Sequence, residues 1–128
     1  MIPRHIQSHL HTLLSYFPCV VLTGVRQCGK TTLLDTLSDE WQRFDMENST
    51  DRLQLLADPD LFFRLHADKI IIDEAQLAPP LFSALRVAID RDRSRKGRFC
   101  SPAPVRLSWS SRFLKAWPAG SLVWKWRH

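Results

Sequence analysis

The chain has 128 residues, 45% of them apolar, and a formal charge of +5 at neutral pH. That size fits one small domain with its own core, and no apolar run approaches the roughly 18 residues that a membrane span needs. Cys19, Cys28 and Cys100 form no C-x-x-C pair, which argues against a disulfide framework or a zinc site, and an N-terminus without a charged-then-apolar pattern reads as cytoplasmic.

The charge is unevenly placed. Residues 1–92 hold nine Lys/Arg and all thirteen Asp/Glu, whereas residues 93–128 hold nine Lys/Arg and no acid. Trp109, Trp117, Trp124 and Trp126 share that second stretch with Pro102, Pro104 and Pro118. Composition changes abruptly near Phe99.

In chain order, Ile2, Ile6, Leu10, Leu13, Leu14 and Phe17 recur at helical spacing and predict an amphipathic helix ending before Pro18. Cys19 to Thr23 is a short apolar run suited to a strand buried on both faces, broken by Gly24. Thr31 to Ser38 reads as a helix with Leu33, Leu34 and Leu37 inward, and Trp41 to Asp45 as a second strand. Ser49 or Thr50 is the expected cap of a helix through Ala57. Asp58-Pro59 interrupts it, and Leu61 to Leu65 reads as a further helical turn or two. Lys69 to Glu74 is a buried strand ending in two acids. Pro79-Pro80 precedes a helix from Leu81 to Arg91, with Leu81, Leu85, Val87, Ala88 and Ile89 toward the core, and a charged loop follows to Arg98. Strands alternate with helices, so the fold expected is α/β, a parallel sheet flanked by helices.

Gly24-Val25-Arg26-Gln27-Cys28-Gly29-Lys30-Thr31 satisfies G-x-x-x-x-G-K-[ST], the Walker A pattern. Such a loop wraps a phosphate and turns successive backbone N–H groups toward it, with glycines permitting the close approach. Lys30 supplies positive charge to the outer phosphates, Thr31 a hydroxyl for Mg²⁺, and the following helix its positive dipole end. Thr32 continues the binding segment. Cys28 reads as a small residue in a tight turn.

Asp73 and Glu74 close a run of three isoleucines, the arrangement of a Walker B pair. A rigid strand end would aim both beside the loop: Asp73 toward the Mg²⁺ shell, Glu74 as the general base that orients water. Gln76 is a further candidate for contact with that water or the γ-phosphate. His5 and His9 share a helical spacing but lack a third ligand. His66 reads as a surface or cap residue. The run from Arg91 to Lys96 reads as a solvated loop rather than a nucleic-acid patch.

These motifs carry a family resemblance. Leu22 to Leu33 resembles the P-loop of prokaryotic AAA+-superfamily ATPases, in the branch whose ATPase domain precedes a C-terminal domain of unknown function. Val25 stands where proline is expected. Asp45, Asp58-Pro59 before Leu61-Phe62, Ile71 to Gln76, and Ala88 to Asp92 leading to Gly97-Arg98-Phe99 also match. The resemblance implies a P-loop three-layer fold with a mostly parallel sheet, binding of ATP and Mg²⁺, and hydrolysis.

After Phe99 the family pattern continues as Leu-Leu-Thr-Gly-Ser and later Ser-Glu-Ser-Leu-Ala-Gly-Arg, whereas this chain reads Cys100-Ser101-Pro102-Ala103-Pro104. The expectation is a partial ATPase domain over residues 1–99, followed by an aberrant, out-of-frame tail over 100–128 that is irregular and leaves the sheet incomplete at the C-terminus. Loss of the polar sensor strand and of an arginine predicts impaired hydrolysis. Self-association would run through the missing C-terminal region. The alternatives are a nucleic-acid-binding module using the basic, Trp-rich tail, or a nonfunctional gene remnant; neither nucleic acid nor membrane is the expected partner.

Overall fold

The computed structural model describes residues 4–24, 34–37, 39–107 and 110–126. Helix α1 (Arg4–Tyr16) leads into strand β1 (Cys19–Gly24). Strand β2 (Gln42–Asp45), helices α2 (Ser49–Ala57) and α3 (Pro59–Leu65), strand β3 (Ile70–Asp73) and a 3₁₀ turn (Ala75–Leu77) follow. Helix α4 (Pro80–Arg91), strand β4 (Phe99–Pro104), a second 3₁₀ turn (Val105–Leu107), helix α5 (Ser111–Ala116) and strand β5 (Leu122–Trp126) complete the order.

The five strands form one parallel sheet in the order β2-β3-β4-β1-β5. Its two faces are covered by different elements, as parallel sheets require. Cys19, Val21, Ile70, Ile72 and Phe99 pack against Leu55, Phe63, Leu81, Leu85 and Trp117 from α2, α3, α4 and the end of α5. On the opposite face Val20, Leu22, Ile71 and Cys100 meet Leu10 and Leu14 of α1, together with Leu34 and Leu37. The unbroken apolar runs of β1 and β3 are thereby explained: alternate residues face different helical layers. Each such side chain contributes about 1.5–3 kcal/mol on full burial.

Local chemistry sets the helix boundaries. The Asn48 side chain, rather than Ser49 or Thr50, caps α2: its Oδ1 accepts from Thr50 N–H at 2.9 Å and Asp51 N–H at 3.1 Å. Asp58 caps α3 by accepting from Leu61 N–H at 3.1 Å. On α4 the buried residues are Leu81, Phe82, Leu85, Ala88 and Ile89, and Val87 is exposed, contrary to expectation. At 100° per residue Val87 points away from the stripe those five form. His66 occupies the C-cap of α3, donating its backbone N–H to Phe62 O.

Gly97-Arg98-Phe99 joins the layers at the amino edge of the sheet. Gly97 has φ +63°, and a Cβ there would lie 2.9 Å from the Leu14 carbonyl oxygen, so only glycine fits beneath α1. The buried Arg98 guanidinium donates to Ala67 O at 3.0 Å and Ala88 O at 2.9 Å, tying the α3–β3 turn to the end of α4. Phe99 then stacks edge-on against Phe63, with ring centroids 5.5 Å apart.

The expectation of an irregular residue 100–128 segment is corrected. That stretch supplies β4, the central strand, as well as α5 and the edge strand β5. The physical reason lies in parity. Phe99 N–H donates to Pro18 O at 3.0 Å, on the β1 side. Backbone groups alternate along a strand, so Phe99, Ser101 and Ala103 direct N–H groups to β1, while Pro102 and Pro104 face β3. The missing N–H groups therefore spare the β1 ladder, which pairs all six residues of β4. The β3 ladder stops after Ile71↔Cys100. The Ile72 carbonyl, opposite Pro102, accepts from the Ser101 hydroxyl at 2.6 Å instead.

Candidate functional site at the carboxyl edge of the sheet

All strands run parallel, so Gly24, Asp45, Asp73, Pro104 and Trp126 end at one edge. Gly24 is in register with Pro104 on one side and Trp126 on the other. The sequence-predicted phosphate-loop residues Val25, Arg26, Gln27, Cys28, Gly29, Lys30, Thr31 and Thr32 lie outside the described residues. The chain enters that loop from the end of β1, two strand positions from β3, or about 10 Å at the usual inter-strand spacing.

Asp73 is half-buried at the end of β3 and in register with Asp45 at the end of β2. Its backbone carbonyl accepts from Met46 N–H at 2.9 Å, which fixes the strand tip. Burial first, and then the charges of Asp45 and Glu74, push the Asp73 carboxyl above its ordinary value; Arg43 and the Glu74 N–H oppose this. Asp45 is itself tied into its turn, its Oδ1 accepting from Glu47 N–H at 2.9 Å. The Asp51 carboxylate accepts from Asp45 N–H at 3.0 Å.

Glu74 follows at φ 55°, ψ 45°, a left-handed conformation that costs a residue with a Cβ on the order of 1–3 kcal/mol. The chain thereby leaves the strand abruptly and enters the 3₁₀ turn, where Leu77 N–H donates to Glu74 O at 3.1 Å. The Gln76 amide Nε2 donates to Glu74 Oε2 at 2.5 Å, and Gln76 Oε1 is buried without a partner among the described residues.

Sequence reading located Asp73 and Glu74 but not the influence of Asp45 and Arg43 on them. The available signal was that Asp45 and Asp73 both close a short strand, which places them side by side once those strands are parallel neighbours. Among the described residues no three His, Cys, Asp or Glu side chains converge as a metal cage. His9 contacts the Trp124 ring edge-on at 4.7 Å.

The cationic loop after α4 is occupied by acids. Arg91 pairs with Asp60 at 2.8 Å, Arg93 with Asp90 at 2.9 Å, and Arg95 with Asp68. Trp117 is buried between Phe82 and Phe113, and Trp124 packs on the α1 side of the sheet. These groups are not arranged as an open stacking surface. Burial pushes the Cys19 thiol up to about 12, against the nearby Ser121 hydroxyl, and raises Cys100 as well. Cys19 and Cys100 face opposite layers, which precludes a disulfide between them.

The comparison with known proteins agrees with this architecture. The AAA domain family matches residues 16–107, from the end of α1 through the second 3₁₀ turn. The chain belongs to the AAA domain family. Two uncharacterized mycobacterial proteins, Mb2031c of Mycobacterium bovis and Rv2008c of Mycobacterium tuberculosis, are each 43% identical to it over 90 residues. That alignment covers 69% of this chain and 20% of each relative, so this AAA domain spans about a fifth of the length of the curated relatives it matches. Membership implies a nucleotide-binding, P-loop ATPase-like domain. Among the described residues no helix is long and apolar enough to cross a membrane.

Proposed function

We propose that this AAA domain binds ATP with Mg²⁺ in the cytoplasm and hydrolyses it slowly. The observation that carries the reading is the conjunction of a complete G-x-x-x-x-G-K-T loop leaving β1 with an Asp-Glu pair closing β3 at the same edge of the sheet. The residues assigned to phosphate are Gly24 through Thr32, with Lys30 as the counter-charge to the outer phosphates. Glu74 is assigned as the base.

Mg²⁺ suits the donor set. It is a hard cation that takes one or two carboxylates and completes its shell with water and phosphate oxygens. Asp73, half-buried beside Asp45, is a carboxylate whose ionised form a cation would favour. Thr31 would add its hydroxyl. When bound, the ion neutralises charge on the phosphates.

Slow turnover follows from the tip of β4. Pro104 stands opposite Gly24 and, being proline, brings neither a polar side chain nor a backbone N–H, and the Ser101 hydroxyl is committed to the Ile72 carbonyl. An arginine supplied to such a site can be worth roughly 10³–10⁵ in rate. Calorimetry with ATP and Mg²⁺ tests the reading. Lys30→Ala is expected to abolish measurable affinity, while Glu74→Gln retains it and lowers the residual hydrolysis rate; equal affinity of the parent and Lys30→Ala would refute the assignment.

A further inference from the structure

A cavity of about 200 Å³ opens at the amino edge of the sheet, away from the edge where Gly24 and Asp73 end. Four arginines line it: Arg64 from α3, Arg91 from the end of α4, Arg95 from the loop that follows, and Arg98 from the start of β4. The Arg98 side chain is 4% exposed, whereas the other three are about half-exposed. Its bonds to Ala67 O and Ala88 O hold it rigidly but use two of the five N–H donors of a guanidinium.

The carboxylates around this cluster are shared. Asp60 serves both Arg64, at 2.9 Å, and Arg91, at 2.8 Å. Asp68 serves Arg95 and lies 3.4 Å from Arg98 Nε. Neither aspartate belongs to the cavity lining, so both hold the arginines without putting negative charge on its wall. Among the described residues Asp92 is the one acid that lines it, with its Oδ2 3.9 Å from Arg95 Nε and its Oδ1 accepting from the Ser94 hydroxyl. The wall thus carries four cations against one anion. Burial first, and then the charge of Arg95, hold the Arg98 guanidinium below its ordinary value, with Asp92 opposing. An anion in the cavity would relieve both causes.

We propose that this arginine-lined cavity is an anion site, distinct from the phosphate loop, that takes a phosphoryl group. The choice of phosphate follows from shape and charge. A carboxylate is flat and offers its oxygens in one plane. The four guanidinium forks arrive from two helices, a loop and a strand, and a tetrahedral group presents oxygens in as many directions. It also carries up to two negative charges, enough to outweigh the repulsion from Asp92. Free phosphate and a phosphate monoester share this chemistry.

The test follows the Arg98 Nε–H resonance by proton–nitrogen NMR on the full chain carrying Lys30→Ala, so that the phosphate loop does not compete. Inorganic phosphate and phenyl phosphate are titrated separately, at constant ionic strength in chloride. A saturable shift is expected. The tighter ligand of the two assigns the source, free ion or monoester. Arg95→Gln, in an exposed loop, is expected to weaken binding on the order of 10-fold, the worth of one hydrogen bond between charged groups. Asp92→Asn keeps an acceptor for Ser94 and removes the lining's negative charge, so it is expected to bind tighter than the parent. Lys115→Gln, an exposed cation on α5, is expected to change nothing. A cluster that only ties the helices together would alter thermal melts and leave these affinities alone. The proposal is overturned by the absence of a saturable shift, by a shift that chloride reproduces, by equal weakening in Lys115→Gln and Arg95→Gln, or by no tightening in Asp92→Asn. That last variant decides the matter even where an arginine variant fails to fold.

Discussion

Asp73 is held where its charge is least welcome. It is half-buried, in register with Asp45 and followed directly by Glu74, and these features raise its carboxyl above the ordinary value of 3.8. A raised carboxyl binds more protons in the folded chain than in the unfolded one at pH values between the two constants. Its contribution to stability is therefore most favourable below the unfolded value and declines as pH rises through the folded one. Under the proposed function, the same carboxylate is the one that a divalent cation beside phosphate would use. Thermal melts from pH 4 to 7 without metal check the point. The parent is expected to lose stability across the lower part of that range, and Asp73→Asn to melt higher than the parent at pH 7 with a flatter profile. Parallel profiles would show that Asp73 has no such role.

At the scale of elements, legibility followed the physics each pattern reports. β1 and β3 were readable because both faces are buried, which turns them into unbroken apolar runs between turn residues. Helices α1 and α4 were readable from their stripes, although Val87 shows that a list of apolar residues is not yet a face. The Asn48 cap was missed by one or two residues because Ser49, Thr50 and Asn48 offer the same chemistry, and only the entry angle of the chain selects among them. β4 was misjudged because its prolines were counted without their parity. Two prolines at adjacent positions would remove an N–H group from each neighbouring ladder, whereas Pro102 and Pro104 weaken only one. Ser101 makes that loss tolerable, and the mutational consequence is specific. Ser101→Ala leaves the Ile72 carbonyl without a donor and is expected to cost about 1–3 kcal/mol in denaturant unfolding. Pro102→Ala restores an N–H opposite that carbonyl, so Ser101→Ala in its background is expected to cost less than half as much. Additive effects would mean that the Ser101 hydroxyl does not substitute for the missing ladder bond.

For the molecule as a whole, the question is why residues 100–128 fill the places of a central and an edge strand with such awkward side chains. The family match runs through residue 107, so β4 is a strand where this family has sequence to match. The awkwardness lies in chemistry, not in placement. Pro102 and Pro104 truncate the β3 ladder, Trp117 buries its indole Nε1 without a partner among the described residues, and residues 93–128 contain no acid. We propose that the coding sequence has lost one base near codon 99. Reading from the third base of the Phe99 codon, either Phe codon followed by Cys100 forces leucine, Ser101 can supply a second, and Pro102, Ala103 and Pro104 can supply Thr-Gly-Ser. Further on, Trp117-Pro118 forces alanine within a permitted Leu-Ala-Gly-Arg. Such a strand has no proline, so it could bond to β3 and β1 alike, and it would end in the polar residues that the tip of β4 lacks. Sequencing the locus is expected to show that one restored base opens a longer frame carrying both motifs, and the restored protein is expected to melt higher and to hydrolyse ATP faster than this chain. If no such frame opens, the basic stretch is the protein's own sequence, and its prolines and buried indole require an explanation from selection.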